Sequence, residues 1–385
     1  MTSACTLTLD GLQELIDTLS GRGYTVVGPT VADGAIDFRA VTAVGDLPRG
    51  LGDEQDAATY RLRRRDDEAV FAFACGPQSA KPVLFPADEL LWRSRTDGAE
   101  GSVPGLDRPA DGTPAPPFAF LGLRSCDLAA IGIHDRVLTG RRVADAHYAL
   151  RREDAFLVAV TCTDPAGTCF CVSMGTGPVP RTGFDLALTE LYADGPHRFV
   201  VETGSARGAE VLKDVTSTPA TEADLVAAGV AGARAAERMG RALDGTDLKD
   251  ILYDNSDSTV WDDIASRCLS CTNCTLVCPT CFCTSITDVS DLVGTTSERH
   301  RVWDSCFSQE YSSIHGGPVR ESTRSRYRQW MTHKLAAWQD QFGTSGCVGC
   351  GRCITWCPAA IDITVEAAEL RRVAEHREQR KARRS

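Results

Sequence analysis

Two stretches of this chain carry one and the same cysteine spacing. CLSCTNCTLVCP (268–279) and CVGCGRCITWCP (347–358) both read C-x2-C-x2-C-x3-C, followed at once by proline. Three cysteines two residues apart wrap a tight loop around one centre and turn backbone N–H groups toward it. The fourth lies past the loop and faces elsewhere, and the proline helps turn the chain away. Any fold of this sequence must therefore bring two such loops together as a pseudo-twofold pair, with everything between them looped out.

The doubled spacing is that of bacterial two-cluster ferredoxins, in which the fourth cysteine of each motif ligates the other [4Fe–4S] cube. By that exchange, cluster I takes Cys268, Cys271, Cys274 and Cys357. Cluster II takes Cys278, Cys347, Cys350 and Cys353. Zinc usually takes two C-x2-C pairs, four sulfurs in all, and doubled triplets fit it poorly. Three further thiols, Cys281, Cys283 and Cys306 (in WDSCF), are left over. Cys281 and Cys283 stand too close behind Cys278 to join either cube. Three roles stay open for the trio: apolar packing beside a cluster, ligation of something extra, or redox-active thiol chemistry.

A second group lies upstream: Cys126 in GLRSCDLAA, and Cys162, Cys169 and Cys171 in VTCTDPAGTCFC. Cys126 and Cys162 each follow a short apolar run, FAFLGL (118–123) and FLVAV (156–160), that reads as a buried strand of an α/β sheet. If those strands are parallel neighbours, both thiols emerge at the same carboxyl edge, where such sheets place ligands. The four are candidates for a third iron–sulfur cluster, against the plainer role of buried structural cysteine.

The rest of the chain reads as α/β followed by a smaller cysteine-rich part. GLQELIDTLSGRGY (11–24) has helical spacing and TVVGPTVADGAIDFRAV (25–41) reads as a hairpin. Residues 94–117 are rich in Gly, Pro and Asp and read as a surface loop, and HRFVVET (197–203) as another strand. These form an N-terminal α/β domain over 1–220. A helix over 221–243 with Thr221 as N-cap opens a connection (221–260). A ferredoxin-like dicluster domain (261–365) follows, with an insert (284–346) whose basic stretch, VRESTRSRYRQWMTHKLAAWQDQF, is helical. A basic tail (366–385) ends the chain.

Seventeen cysteines in 385 residues, with no export signal at the N-terminus, point to metal ligation in a reducing, cytoplasmic compartment rather than to disulfides. The net charge of −11 argues against a nucleic-acid partner. No apolar run is long enough to span a bilayer. SMGTGP (173–178) lacks the full dinucleotide fingerprint and reads as a turn. No Walker loop, nucleophile elbow or metalloprotease helix is present, so no catalytic residue, flavin site or nicotinamide site is assigned. The arginines Arg320, Arg324, Arg326 and Arg328 read as a solvated helix face, with partner docking as the alternative.

Taken together, GLRSCDLAAIGIHDRVL, RRE (151–153), CTDPAGTCFCVSMGTGP, GFDLALTEL, RCLSCTNCTLVCPTCFC, WDSCF and CVGCGRCITWCP resemble the beta subunits of cytosolic sulfhydrogenases. These are nickel–iron hydrogenases that exchange electrons with NAD(P). The pattern is similarly close to the electron-transfer subunit of anaerobic sulfite reductase. The resemblance runs from about residue 118 to 365. It implies an electron-transfer subunit that relays between a flavin subunit handling NAD(P)H and the hydrogenase small and large subunits, or the corresponding sulfite reductase subunits. A stand-alone sulfur or polysulfide reductase using the leftover thiols is the alternative from a different class.

Overall fold

The computed structural model describes residues 4–95, 117–140, 142–193, 195–292 and 296–383. Its larger unit is an eight-stranded mixed sheet. In spatial order the strands are Thr218–Pro219, Cys5–Leu7, Arg198–Thr203, Leu186–Leu191, Phe156–Val160, Phe118–Leu123, Thr25–Ala32 and Ala35–Ala40. The centre is parallel: Thr25–Ala32, Phe118–Leu123, Phe156–Val160 and Leu186–Leu191 run side by side. The 197–203 segment is a strand as expected, but pairs antiparallel with Leu186–Leu191.

Wholly apolar strands form here because both faces are covered. Along Phe156–Val160, Phe156, Val158 and Val160 enter one core with Leu12, Leu15, Ile16 and Leu19 of the helix Leu9–Gly21. Leu157 and Ala159 enter the other, with Leu128, Ile131 and Tyr148. The 25–41 hairpin turns through Asp33 (φ 51°) and Gly34 (φ 78°). Two successive positive φ values match the twist of the flanking strands, which is why an Asp-Gly pair sits there.

The connection begins with the helix Glu222–Glu237, shorter than the 221–243 expected. The Thr221 side chain accepts from Asp224 N at 3.2 Å, and Asp224 Oδ2 accepts from Thr221 N at 3.0 Å, a reciprocal cap. The helices Leu248–Asp254 and Val260–Arg267 then lead into the first thiol loop.

The insert contains more than a helix. Its first part is a hairpin, Thr284–Ser290 and Thr296–Trp303, and the second strand pairs antiparallel with Asp88–Arg95 of the N-terminal half. Positions 94 and 95 of the expected loop close that strand, and 96–116 lie outside the described residues. The basic stretch is helical over Thr323–Thr332, passes through a π-turn at His333–Ala337 and ends with Trp338–Phe342. It packs partly inward: Arg326 is buried and Arg324 pairs with Asp262 at 2.9 Å. The C-terminal helix Ile363–Ala382 buries Ala367 and Leu370. Its basic end is tied down by Arg377, which donates to Asn255 Oδ1 at 3.0 Å. Among the described residues, no helix is long and apolar enough to cross a membrane.

Candidate iron–sulfur sites

The two motifs fold into the same backbone. In the first loop Ser270 (φ 51°) and Thr272 (φ 68°) are left-handed; in the second Gly349 (φ 66°) and Gly351 (φ 77°) hold the same places. Ser270 N donates to Cys268 Sγ at 3.4 Å, and Gly349 N donates to Cys347 Sγ at 3.4 Å. Each loop ends in one helical turn, Asn273–Leu276 or Arg352–Thr355, that carries the third cysteine. Glycine is demanded only in the second loop. A Cβ at Gly349 would meet Phe170 O at 2.6 Å, and one at Gly351 would meet Thr168 O at 2.6 Å. That loop lies against the Thr168–Cys171 segment, and Phe170 N donates to Gly349 O at 2.8 Å.

An apolar cavity brings together Cys268, Cys271, Cys274 and Cys357, with Cys353 also in its lining, walled by Phe307, Tyr327, Trp330, Ile361 and Ile363. Cys357 Sγ accepts from Ile361 N at 3.4 Å. Burial pushes the Cys274 thiol well up, and Cys268, Cys357 and Cys271 add to the shift. Cys271 and Leu269 are exposed, so this loop reaches the surface. The other set is deeper. Burial raises Cys347 to about 11 and Cys350 to about 12. It also raises Cys353, whose thiol lies in the field of Cys347, Cys350 and Cys278.

A second cavity gathers the upstream thiols. Cys126, Cys162, Cys169 and Cys171 line it together with Arg124, Pro165, Pro178 and Met239. Phe118–Leu123 and Phe156–Val160 are parallel neighbours, so Cys126 and Cys162 leave the sheet at one edge. Burial raises Cys162 to about 11 and Cys171 to about 12. Cys75 also lines this cavity, and sequence reasoning missed it. It belongs to no spacing motif, and only the tertiary fold brings it in. Its Sγ donates to Cys350 O at 3.3 Å. Cys169 and Arg352 are its close neighbours. Cys350 lines the same wall, so this cavity and the second thiol loop share a boundary.

Of the three leftover thiols, Cys281 pairs with Cys278, and Cys283 pairs with Cys306. A hydrogen bond with Cys278 raises Cys281, and one with Cys306 lowers Cys283 to about 6, helped by the Tyr311 hydroxyl. Among the described residues, no three Cys, His, Asp or Glu converge closely enough to hold a single metal ion.

These sites suit iron–sulfur clusters. The first cavity is lined largely by sulfur and apolar carbon and the second by sulfur with Arg124 beside it. Backbone N–H groups point at sulfur in the thiol loops, and burial leaves the thiolates in need of a cation. Ligands of a cube each hold a separate iron, so they ring a cavity without converging on one point. The fold and the paired loops define an iron–sulfur electron-transfer protein of the dicluster type. In agreement, the family described as "4Fe-4S dicluster domain" matches residues 267–361. Sulfhydrogenase 2 subunit beta of Pyrococcus furiosus is 35% identical over 249 residues, which cover 64% of this chain and 71% of the relative. No solved structure matches the chain. The chain belongs to the family of sulfhydrogenase beta subunits, and so to proteins that work as one part of a multi-subunit complex.

Proposed function

We propose that this chain relays electrons between a flavin subunit that oxidises NAD(P)H and the small subunit of a nickel–iron hydrogenase. Cys268, Cys271, Cys274 and Cys357 hold cluster I, and Cys278, Cys347, Cys350 and Cys353 hold cluster II. Four of the upstream thiols, Cys126, Cys162, Cys169 and Cys171, hold a third. Clusters at these places supply one-electron chemistry at potentials set by N–H···S bonds, charge and exposure. The observation that carries the reading is the meeting of Cys357 with Cys268, Cys271 and Cys274 around one cavity, beside a second loop of identical backbone.

The chain's own part is to hold sulfur in place and keep water away. Phe307, Tyr327 and Trp330 wall off the first site, and the core they share with Phe170 and Ile354 also packs against Cys347 and Cys353 of the second. The exposed Cys271 and Leu269 make the first loop the nearest approach for a partner's redox centre.

Two measurements test this. Iron and acid-labile sulfide, counted on protein purified without oxygen, should come to about twelve of each per chain and fall to about eight in Cys162→Ala. About eight in both would leave the upstream thiols structural. Anaerobic purification of the native complex should retain flavin-bearing and hydrogenase subunits. Recovery of sulfite reductase subunits instead would replace the hydrogenase context.

A further inference from the structure

The two thiol loops share a backbone but not an electrostatic setting. The cavity of Cys268, Cys271, Cys274 and Cys357 is walled by aromatic and aliphatic side chains, with no cation in its lining among the described residues. At Cys278, by contrast, Lys334 Nζ lies 3.2 Å from Sγ, 3.0 Å from Thr280 Oγ1, 3.3 Å from Gly346 O and 3.6 Å from Cys281 Sγ. Lys334 is only 6% exposed. Every one of these partners is an acceptor, which suits the three donors of an ammonium.

The backbone is shaped to put it there. Lys334 sits in the π-turn His333–Ala337, and its carbonyl accepts from Gly346 N at 2.8 Å and from Ser345 Oγ at 3.3 Å. Single π-turns inside α-helices frequently occur at functional sites. The turn thus clamps the helix to the residues that open the second thiol loop.

A buried ammonium is costly unless paired. Among the described residues, no carboxylate is a partner of Lys334; the sulfurs that face it are those of Cys278, Cys281 and Cys347, and Cys278 and Cys347 are proposed ligands of cluster II. A second buried lysine stands nearby, its pKa lowered by burial. Lys81 Nζ donates to Cys278 O at 3.5 Å and lies 3.7 Å from the centre of the Trp303 ring. Arg352, near Cys350, contributes less because Asp127 matches its charge at 2.9 Å.

We propose that Lys334 is a positioning residue that raises the potential of cluster II relative to cluster I. This rests on the ligand set proposed above for cluster II. Reduction of a [4Fe–4S] group adds one electron and no proton. A fixed positive charge on a ligating sulfur stabilises that added negative charge, and the ammonium stays protonated in both states. Cluster II would then hold an electron in preference to cluster I, whose lining carries no cation among the described residues.

The test is a potentiometric titration of the full chain, purified without oxygen and followed by electron paramagnetic resonance. In Lys334→Met the midpoint of cluster II should move to lower potential, with that of cluster I unmoved and the iron count as in the wild type. Lys334→Arg should recover most of the shift. Lys334→Gln, which keeps donors but no charge, should behave like Lys334→Met. An unmoved cluster II midpoint in Lys334→Met and Lys334→Gln overturns the proposal. Equal loss of iron in all three variants also overturns it, because the role would then be structural. Cys278→Ala, run alongside, must remove the cluster II signal; if both signals survive, the ligand assignment fails, whatever Lys334 does.

Discussion

Arg352 and Asp127 form an ion pair at 2.9 Å with each side chain only 1% exposed. Arg352 opens the helical turn of the second thiol loop, and Asp127 lies in the first turn of the helix Ser125–His134, beside Cys126. The same guanidinium donates from Nε to Gly76 O at 2.9 Å and from Nη2 to Gln78 O at 3.1 Å. One side chain therefore ties the second thiol loop, the Cys75 segment and the Cys126 helix into a single unit.

Removing that tie leaves an uncompensated buried carboxylate. Arg352→Ala should cost about 3–5 kcal/mol of stability, as breaking a buried pair does. Anaerobic urea unfolding should show a lower midpoint, and iron should be lost from the second loop before the first. Asp127→Asn, which keeps the shape and one hydrogen-bonding oxygen, should cost less.

The paired loops predict opposite responses to glycine. Thr272 holds a left-handed conformation that costs an ordinary residue roughly 1–2 kcal/mol. Thr272→Gly should be neutral or stabilising by about 1 kcal/mol, after the entropy of the freed backbone is allowed for. Gly351→Ala meets both the same strain and a backbone oxygen, Thr168 O, at 2.6 Å. It should destabilise by more than about 2 kcal/mol and disturb the upstream thiols. Urea midpoints of the two variants, measured side by side, check the contrast.

Exchange of the fourth cysteines is open to a direct test. Cys357→Ala should abolish the signal of the cluster on Cys268, Cys271 and Cys274 and spare the one on Cys347, Cys350 and Cys353. Loss of the second signal instead would mean that each motif serves its own site.

Of the six thiols that line the upstream cavity, Cys350 belongs to the second thiol loop, and the remaining five exceed by one the four that a cluster needs. Cys75 spends its S–H on Cys350 O; at the sheet edge Cys126 stands in the first turn of a helix, and Cys162, Cys169 and Cys171 lie on loops. Cys75→Ala should therefore keep about twelve irons per chain, while Cys162→Ala falls to about eight. An equal loss in both would place Cys75 among the ligands and release one of the other four.

Local chemistry made much of this protein legible. The spacing of eight cysteines is a property of two short loops, and their backbone can be foreseen because a tight sulfur-lined turn has few solutions. The apolar runs at 118–123 and 156–160 announced a doubly covered sheet for a similar reason, since only burial on both faces tolerates such a sequence. What lies far apart in the chain was not legible. The pairing of Asp88–Arg95 with Thr296–Trp303, the arrival of Cys75 beside Cys169, and the placing of Lys334 against Cys278 each join segments that share no motif. Spacing specifies where a loop can bind. Which charges surround it, and which surplus thiols meet it, follow from packing between distant segments, and only the tertiary structure decides that.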